Sequence, residues 1–173
     1  MRGGEKVLEN ICRVYPNADI YTHVYNKKNI SKTINSHNIK TTFINKLPFS
    51  KYLYKYYLIL MPYALKKLDL RAYDLIISSE SGPSKGFLKN KNSFHICYCH
   101  SPMRYLYDMK SEYLDKYNFF FKKIINLFFN CLQKWDFKTS KNIDLIIANS
   151  KFVSNRVKKY WAKDSVVINP TIN

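Results

Sequence analysis

The chain has 173 residues (20.6 kDa), is 46% hydrophobic and 16% aromatic, and carries 29 basic against 12 acidic residues for a formal net charge of +17. That apolar content excludes a disordered basic tail, the length suits one domain with a real core, and no apolar run approaches the ~20 residues of a spanning helix. The opening MRGGEKVLEN lacks the apolar stretch of a secretory signal, and Cys12, Cys97, Cys99 and Cys131 sit in apolar contexts, as buried thiols of a reducing cytosol would.

In chain order, residues 3–15 read as a helix opening on Gly3-Gly4, with Val7, Leu8, Ile11, Cys12 and Val14 near helical spacing. Residues 18–25 (ADIYTHVY) and 40–44 are strand-like, and 50–68 is a helix rich in Tyr, Leu and Lys with a kink expected at Pro62. Three apolar runs follow, at 74–79, 94–100 and 144–150, each ending in small or polar residues. Such continuous runs are the mark of strands buried on both faces of a parallel sheet. Helices predicted near 118–140 and 150–161 alternate with them. The pattern predicts an α/β fold with a Rossmann-like, doubly wound parallel sheet.

Ligands of such sheets bind at the carboxyl ends of the strands. This directs attention to Ser78-Ser79-Glu80, His100-Ser101-Pro102 and Asn149-Ser150-Lys151. Only four glycines occur, as Gly3-Gly4 and as Gly82 with Gly86 in SESGPSKG. Glycines at a helix start bring backbone close to a phosphate, and tight turns use them equally well; spacing alone favours the turn, because no full dinucleotide or P-loop pattern is present. A phosphate-binding glycine pair normally follows a strand, yet only Met1 and Arg2 precede this one. Either the helix starts the domain or a first strand lies outside the chain.

The segments RGGEKVLE, YPNADIYTHVY, DLIISSESGPSKG, HICYCHSPMRYLYD, WDFKTSKNIDLIIANSKFVSNRVKKYW and VINPTIN together resemble the N-terminal half of family-4 glycosyltransferases, and more narrowly bacterial mannosyltransferase-like members that build surface polysaccharides. The resemblance runs over essentially the whole chain in the expected order. It implies the acceptor-side domain of a GT-B fold over residues 1–173, lacking its first strand and the donor-binding C-terminal domain, hence a fragment inactive alone. It also implies retaining, metal-independent transfer from a nucleotide sugar, a GDP- or UDP-sugar that is a substrate and not a cofactor, to a lipid-linked or saccharide acceptor. By the same resemblance, Gly3 and Gly4 approach the donor phosphate or sugar, and His100 faces the transferred sugar as the catalytic residue. Arg104, Ser101 and Lys85 become substrate contacts. Glu5, in the first helical turn, complements the helix dipole as readily as it would bind a ligand.

Other chemistries fit less well. His95, Cys97 and Cys99 alternate along one strand face without zinc spacing or a second ligand cluster, so buried thiols are expected there and no metal. Asp108, Glu112 and Asp115 read as a solvated helix face. In 118–135 an apolar arc of Phe, Ile, Leu and Trp covers more circumference than one sheet contact needs, and 50–68 repeats the theme with Tyr and Lys. Basic residues beside exposed aromatics suit anionic lipid, and packing inside the protein would use the same residues. The expectation is a glycosyltransferase domain attached peripherally to the inner face of the cytoplasmic membrane. The alternative is a non-enzymatic basic module for nucleic acid; the charge favours it, but no nucleic-acid motif is present and only five of the basic residues are Arg.

Overall fold

A computed structural model describes residues 3–170. The described chain divides into two compact units, 3–68 with Pro170 and 69–169.

The first unit opens with α1 (Gly3–Val14), whose Glu5 lies in the first turn and Arg13 in the last, each complementing the helix dipole. Its buried side chains are Val7 and Cys12. Strands β1 (Ile20–Thr22) and β2 (Ile39–Thr41) pair in parallel with Ile20 opposite Ile39, and the short α2 (Lys32–Asn35), capped by Ser31, lies between them. Both strands are shorter than the sequence predicts. The Thr42 N–H closes the ladder on the Thr22 carbonyl, and then Phe43–Lys46 turns as a 3-10 helix that buries Ile44. A strand cannot run on where its only partner has turned away.

The helix expected over 50–68 is in fact three pieces: α3 (Ser50–Leu53), a 3-10 stretch (Tyr54–Leu60) and α4 (Met61–Lys66). Pro62 does not kink a continuous helix. It sits in the first turn of α4, where the absent N–H has no helical partner to lose. The inner side of this segment packs Tyr54, Tyr57, Leu58, Leu60, Met61 and Ala64 around Ile44.

The second unit holds the parallel sheet foreseen in the apolar runs. Its strands β3 (Leu75–Glu80), β4 (Phe94–Cys99), β5 (Leu145–Ala148) and β6 (Val166–Val167) lie side by side in that order, all parallel. The short α5 (Lys110–Leu114) and the long α6 (Phe119–Ser140) connect β4 to β5, and α7 (Lys151–Trp161) connects β5 to β6. Along β3 and β5 burial alternates, so one face is closed and the other half-covered, which is less burial than continuous apolar runs suggest. The closed core joins Cys97, Cys99, Ile146 and Ala148 to Val153, Val157 and Trp161 of α7. Cys12, Cys97 and Cys99 are buried thiols as expected, whereas Cys131 on α6 is exposed.

Phe94 N–H donates to the Asp74 carbonyl and His100 N–H to the Glu80 carbonyl, so the even-numbered residues of β3 serve β4. The backbone groups of Leu75, Ile77 and Ser79 therefore point the other way, and no strand lies along that edge among the described residues.

Gly86 is explained by packing. It holds φ +94°, and a Cβ there would come within 2.9 Å of the Trp135 ring and 3.0 Å of Thr139 Cγ2 on α6. Gly86→Ala should therefore cost roughly 1–3 kcal/mol by overpacking, with backbone strain added, and lower the calorimetric midpoint by several degrees. An unchanged midpoint would show that Trp135 can move aside.

Candidate functional site

The strand ends converge at one end of the four-stranded sheet. The His100 N–H donates to the Glu80 carbonyl (2.8 Å) and the Asn149 N–H to the Cys99 carbonyl (3.2 Å), tying the loops after β3, β4 and β5 together. Half-buried His100 places Nε2 2.9 Å from Ser79 Oγ and its ring 5.1 Å from that of Tyr98. Burial lowers its pKa, so the imidazole is neutral at neutral pH. Nδ1 has no hydrogen-bond partner among the described residues. If the Ser79 hydroxyl donates to Nε2, Nδ1 carries the proton and is a donor; in the other tautomer it is an acceptor. Either way Ser79 fixes the ring and leaves one nitrogen for a ligand.

The following loop holds Ser101, whose hydroxyl donates to the Pro102 carbonyl (2.9 Å), and exposed Arg104, which starts a 3-10 turn. Arg156 of α7 clamps this loop. Its guanidinium donates to the Pro102 carbonyl (3.0 Å) and pairs with Asp108, whose pKa is lowered by that contact against the opposing effect of burial. Asp108 is thus an ion-paired anchor and not part of a solvated helix face. Asp115 does remain at the surface, paired with Lys122.

Lys85 is placed otherwise than the sequence suggests. It is neither a solvated lysine nor a loop cation open to an anionic ligand, being 1% exposed with its ammonium held between Glu80 (2.7 Å) and Asp136 of α6 (2.5 Å). The ammonium also lies 4.3 Å from the centre of the Trp161 ring. Asp136 accepts further hydrogen bonds from Tyr107 Oη and Trp161 Nε1 (both 2.7 Å), and Glu80 accepts one from Ser84. Burial works against the ammonium, but the two carboxylates outweigh it and raise its pKa. Burial and the charge of Asp136 push Glu80 upward despite Lys85. This network fixes the SESGPSKG loop to α6 beneath the strand ends.

His95, on the closed face, has Nε2 2.8 Å from Ser78 Oγ. Burial, aided by the nearby Lys89 charge, pushes its pKa down to about 4, and burial pushes the Cys97 thiol up to about 12. No three His, Cys, Asp or Glu residues cluster as a metal site among the described residues. Because the unfolded chain binds a proton at His95 near pH 6.5 and the folded chain only near 4, stability is fully present above ~6.5 and is lost as the pH falls through that window. Between pH 7 and 5 the wild type should lose about 2 kcal/mol that His95→Gln retains, measured by urea midpoints. Equal losses in both proteins would remove His95 as the cause.

Gly3 and Gly4 lie in the first unit and His100, Ser101, Arg104 and Lys85 in the second. A Cβ at Gly3 would meet nothing within 4 Å, so no packing contact explains that glycine. Of the residues that complete the site, Ser79 and Glu80 stand out in the sequence as the polar end of an apolar run. Asp136 has a fainter signal: it is the only acidic residue of α6, and a lone carboxylate in an apolar helix needs a partner.

The family model for Glycosyltransferase Family 4 matches residues 1–173. No curated protein and no solved structure shows significant similarity to the chain.

Proposed function

The chain belongs to glycosyltransferase family 4, and from that premise we propose that it is the acceptor-side domain of an enzyme that transfers a hexose, mannose or a similar sugar, from a GDP- or UDP-sugar to a lipid-linked or saccharide acceptor in surface-polysaccharide synthesis. On this reading, donor binding falls mainly to a second domain. In the reaction the bond between the anomeric carbon and the donor phosphate oxygen breaks, and a bond to an acceptor hydroxyl oxygen forms with retained configuration and without a metal. The hydroxyl proton leaves with the nucleotide product.

The observation that carries this reading is His100, a neutral imidazole at the carboxyl end of β4 with Nε2 engaged by Ser79 and Nδ1 open. We assign Nδ1 to a hydroxyl of the transferred sugar, where positive charge develops in the transition state. Arg104 and Ser101 contact acceptor or phosphate oxygens, and Gly3 and Gly4 admit the donor phosphate to the start of α1. No helix among the described residues is long and apolar enough to cross a membrane. The exposed aromatics and lysines instead support attachment to the inner face of the cytoplasmic membrane.

The test is sugar transfer by the full open reading frame containing these residues, assayed with labelled nucleotide sugars and extracted lipid-linked acceptors. Transfer that retains the anomeric configuration supports the reading. Tight binding of nucleic acid with no transfer from any nucleotide sugar overturns it.

A further inference from the structure

The broken helical segment of the first unit carries apolar side chains on its outer side as well as its inner one. In the 3-10 stretch, with three residues per turn, Tyr54, Tyr57 and Leu60 point inward and Tyr56 and Ile59 outward, with Leu53 at the end of α3 also exposed. Phe49 and Tyr52 precede the outward row and Tyr63 continues it, so six large side chains form one exposed stripe, with Tyr52 82% and Tyr56 79% accessible. Phe49 also holds φ +51°, a left-handed conformation that costs a bulky residue roughly 1–2 kcal/mol and that glycine would adopt freely. Its backbone starts α3, with the carbonyl accepting from the Tyr52 and Leu53 N–H groups, a task glycine would perform without strain, so the turn does not call for the solvent-facing ring.

The charge around the stripe is of one sign. Between Asp19 and Asp69 there are nine lysines and no carboxylate or arginine, and Lys51, Lys55, Lys66 and Lys67 flank the stripe as exposed side chains. Elsewhere charges are interspersed: beside the exposed Phe119 and Phe120 of α6, Glu112 and Asp115 accompany the lysines. An aromatic row rich in Tyr, bordered by lysines and free of acidic groups, matches the boundary of an anionic bilayer, where Tyr rings sit at headgroup depth and each nearby Lys adds attraction.

We propose that the stripe Phe49–Tyr52–Leu53–Tyr56–Ile59–Tyr63 is the surface by which this protein docks on anionic membranes, with Lys51, Lys55, Lys66 and Lys67 at the phosphates. This rests on the membrane-peripheral reading above and names the face responsible. The α6 aromatics belong to the other unit and are not required.

The test is sedimentation of the chain with vesicles of phosphatidylcholine alone or with about 30 mol % phosphatidylglycerol. The wild type should bind the anionic vesicles and hardly the neutral ones. Tyr52→Ser/Tyr56→Ser/Ile59→Ser should bind roughly tenfold to a hundredfold more weakly, with an unchanged circular dichroism spectrum and thermal midpoint. Tyr56→Ser alone serves should the triple variant misfold. Lys51→Gln/Lys55→Gln should remove part of the salt-sensitive component. Phe119→Ser/Phe120→Ser should bind as the wild type does.

Several results would overturn the inference. If the α6 variant loses binding while the triple variant keeps it, the membrane reading survives and this assignment falls. Equal binding to neutral vesicles also sinks it, as does a dimer that the triple variant dissolves in a chain that binds no vesicles. Absence of any vesicle binding removes both the docking face and the membrane location, leaving the transferase reading to its own assay.

Discussion

Lys85→Met should destabilise the protein by about 3–5 kcal/mol, because it leaves Glu80 and Asp136 facing each other in the interior without a counter-charge. For a chain of this size that corresponds to a fall in the thermal midpoint of roughly 6–20 °C. The loss is the cost of an uncompensated pair of buried carboxylates more than the worth of the ion pairs themselves, since desolvating three charges consumes most of what their attraction supplies. Neutralising the acids as well distinguishes the two. Lys85→Met/Glu80→Gln/Asp136→Asn should recover much of the midpoint, because Asn can still accept from Tyr107 and Trp161. A Lys85→Met protein that melts within a degree or two of the wild type would show that water enters the site, or that the acids share a proton at little cost.

The second large effect concerns chemistry. In the complete enzyme, His100→Ala should lower kcat by a hundredfold to a thousandfold, with a much smaller change in acceptor KM. Removing one preorganised hydrogen-bonding group from a developing charge costs about 2.7–4 kcal/mol. The fold should survive, since the strand-end tie runs through the His100 backbone N–H and not its ring. Because burial lowers the His100 pKa, its neutral form prevails above the ordinary histidine range, and the wild-type rate should fall only as acid protonates it. Near-normal kcat in a folded His100→Ala enzyme would return this histidine to a packing role.

What the sequence made legible followed the range over which its signals act. The runs at 74–79, 94–100 and 144–150 announce β3, β4 and β5 because strand burial is written in consecutive residues, and α6 and α7 are found within a residue of their expected ends. Lys85 and Gly86 were illegible for the opposite reason. Their environment comes from Trp135, Asp136, Thr139 and Trp161, distant in sequence, and nothing local separates a buried lysine from a solvated one. Periodicity found the apolar content of 50–68 but missed its division into α and 3-10 pieces, which depends on how Tyr54, Tyr57 and Leu60 meet Ile44. The site was half visible: His100 marks itself by ending an apolar run before Ser101-Pro102, whereas its contact with Ser79 appears only once β3 and β4 are in register.

The outer edge of β3 has a consequence for how this protein behaves among copies of itself. The amides and carbonyls of Leu75, Ile77 and Ser79 face away from β4 and have no strand partner among the described residues. Natural sheets usually guard such margins with a proline, a bulge or an outward charge. The stretch LIISS carries no proline and no charge, and the side chain of Glu80, which follows, is turned into the interior. The strongly positive surface keeps copies apart at low ionic strength, but that repulsion fades once added salt shortens its reach. Light scattering of the chain at rising salt should therefore show association if this margin is free to pair, because backbone hydrogen bonds are not screened, and a constant size at all salt concentrations would show that it is covered.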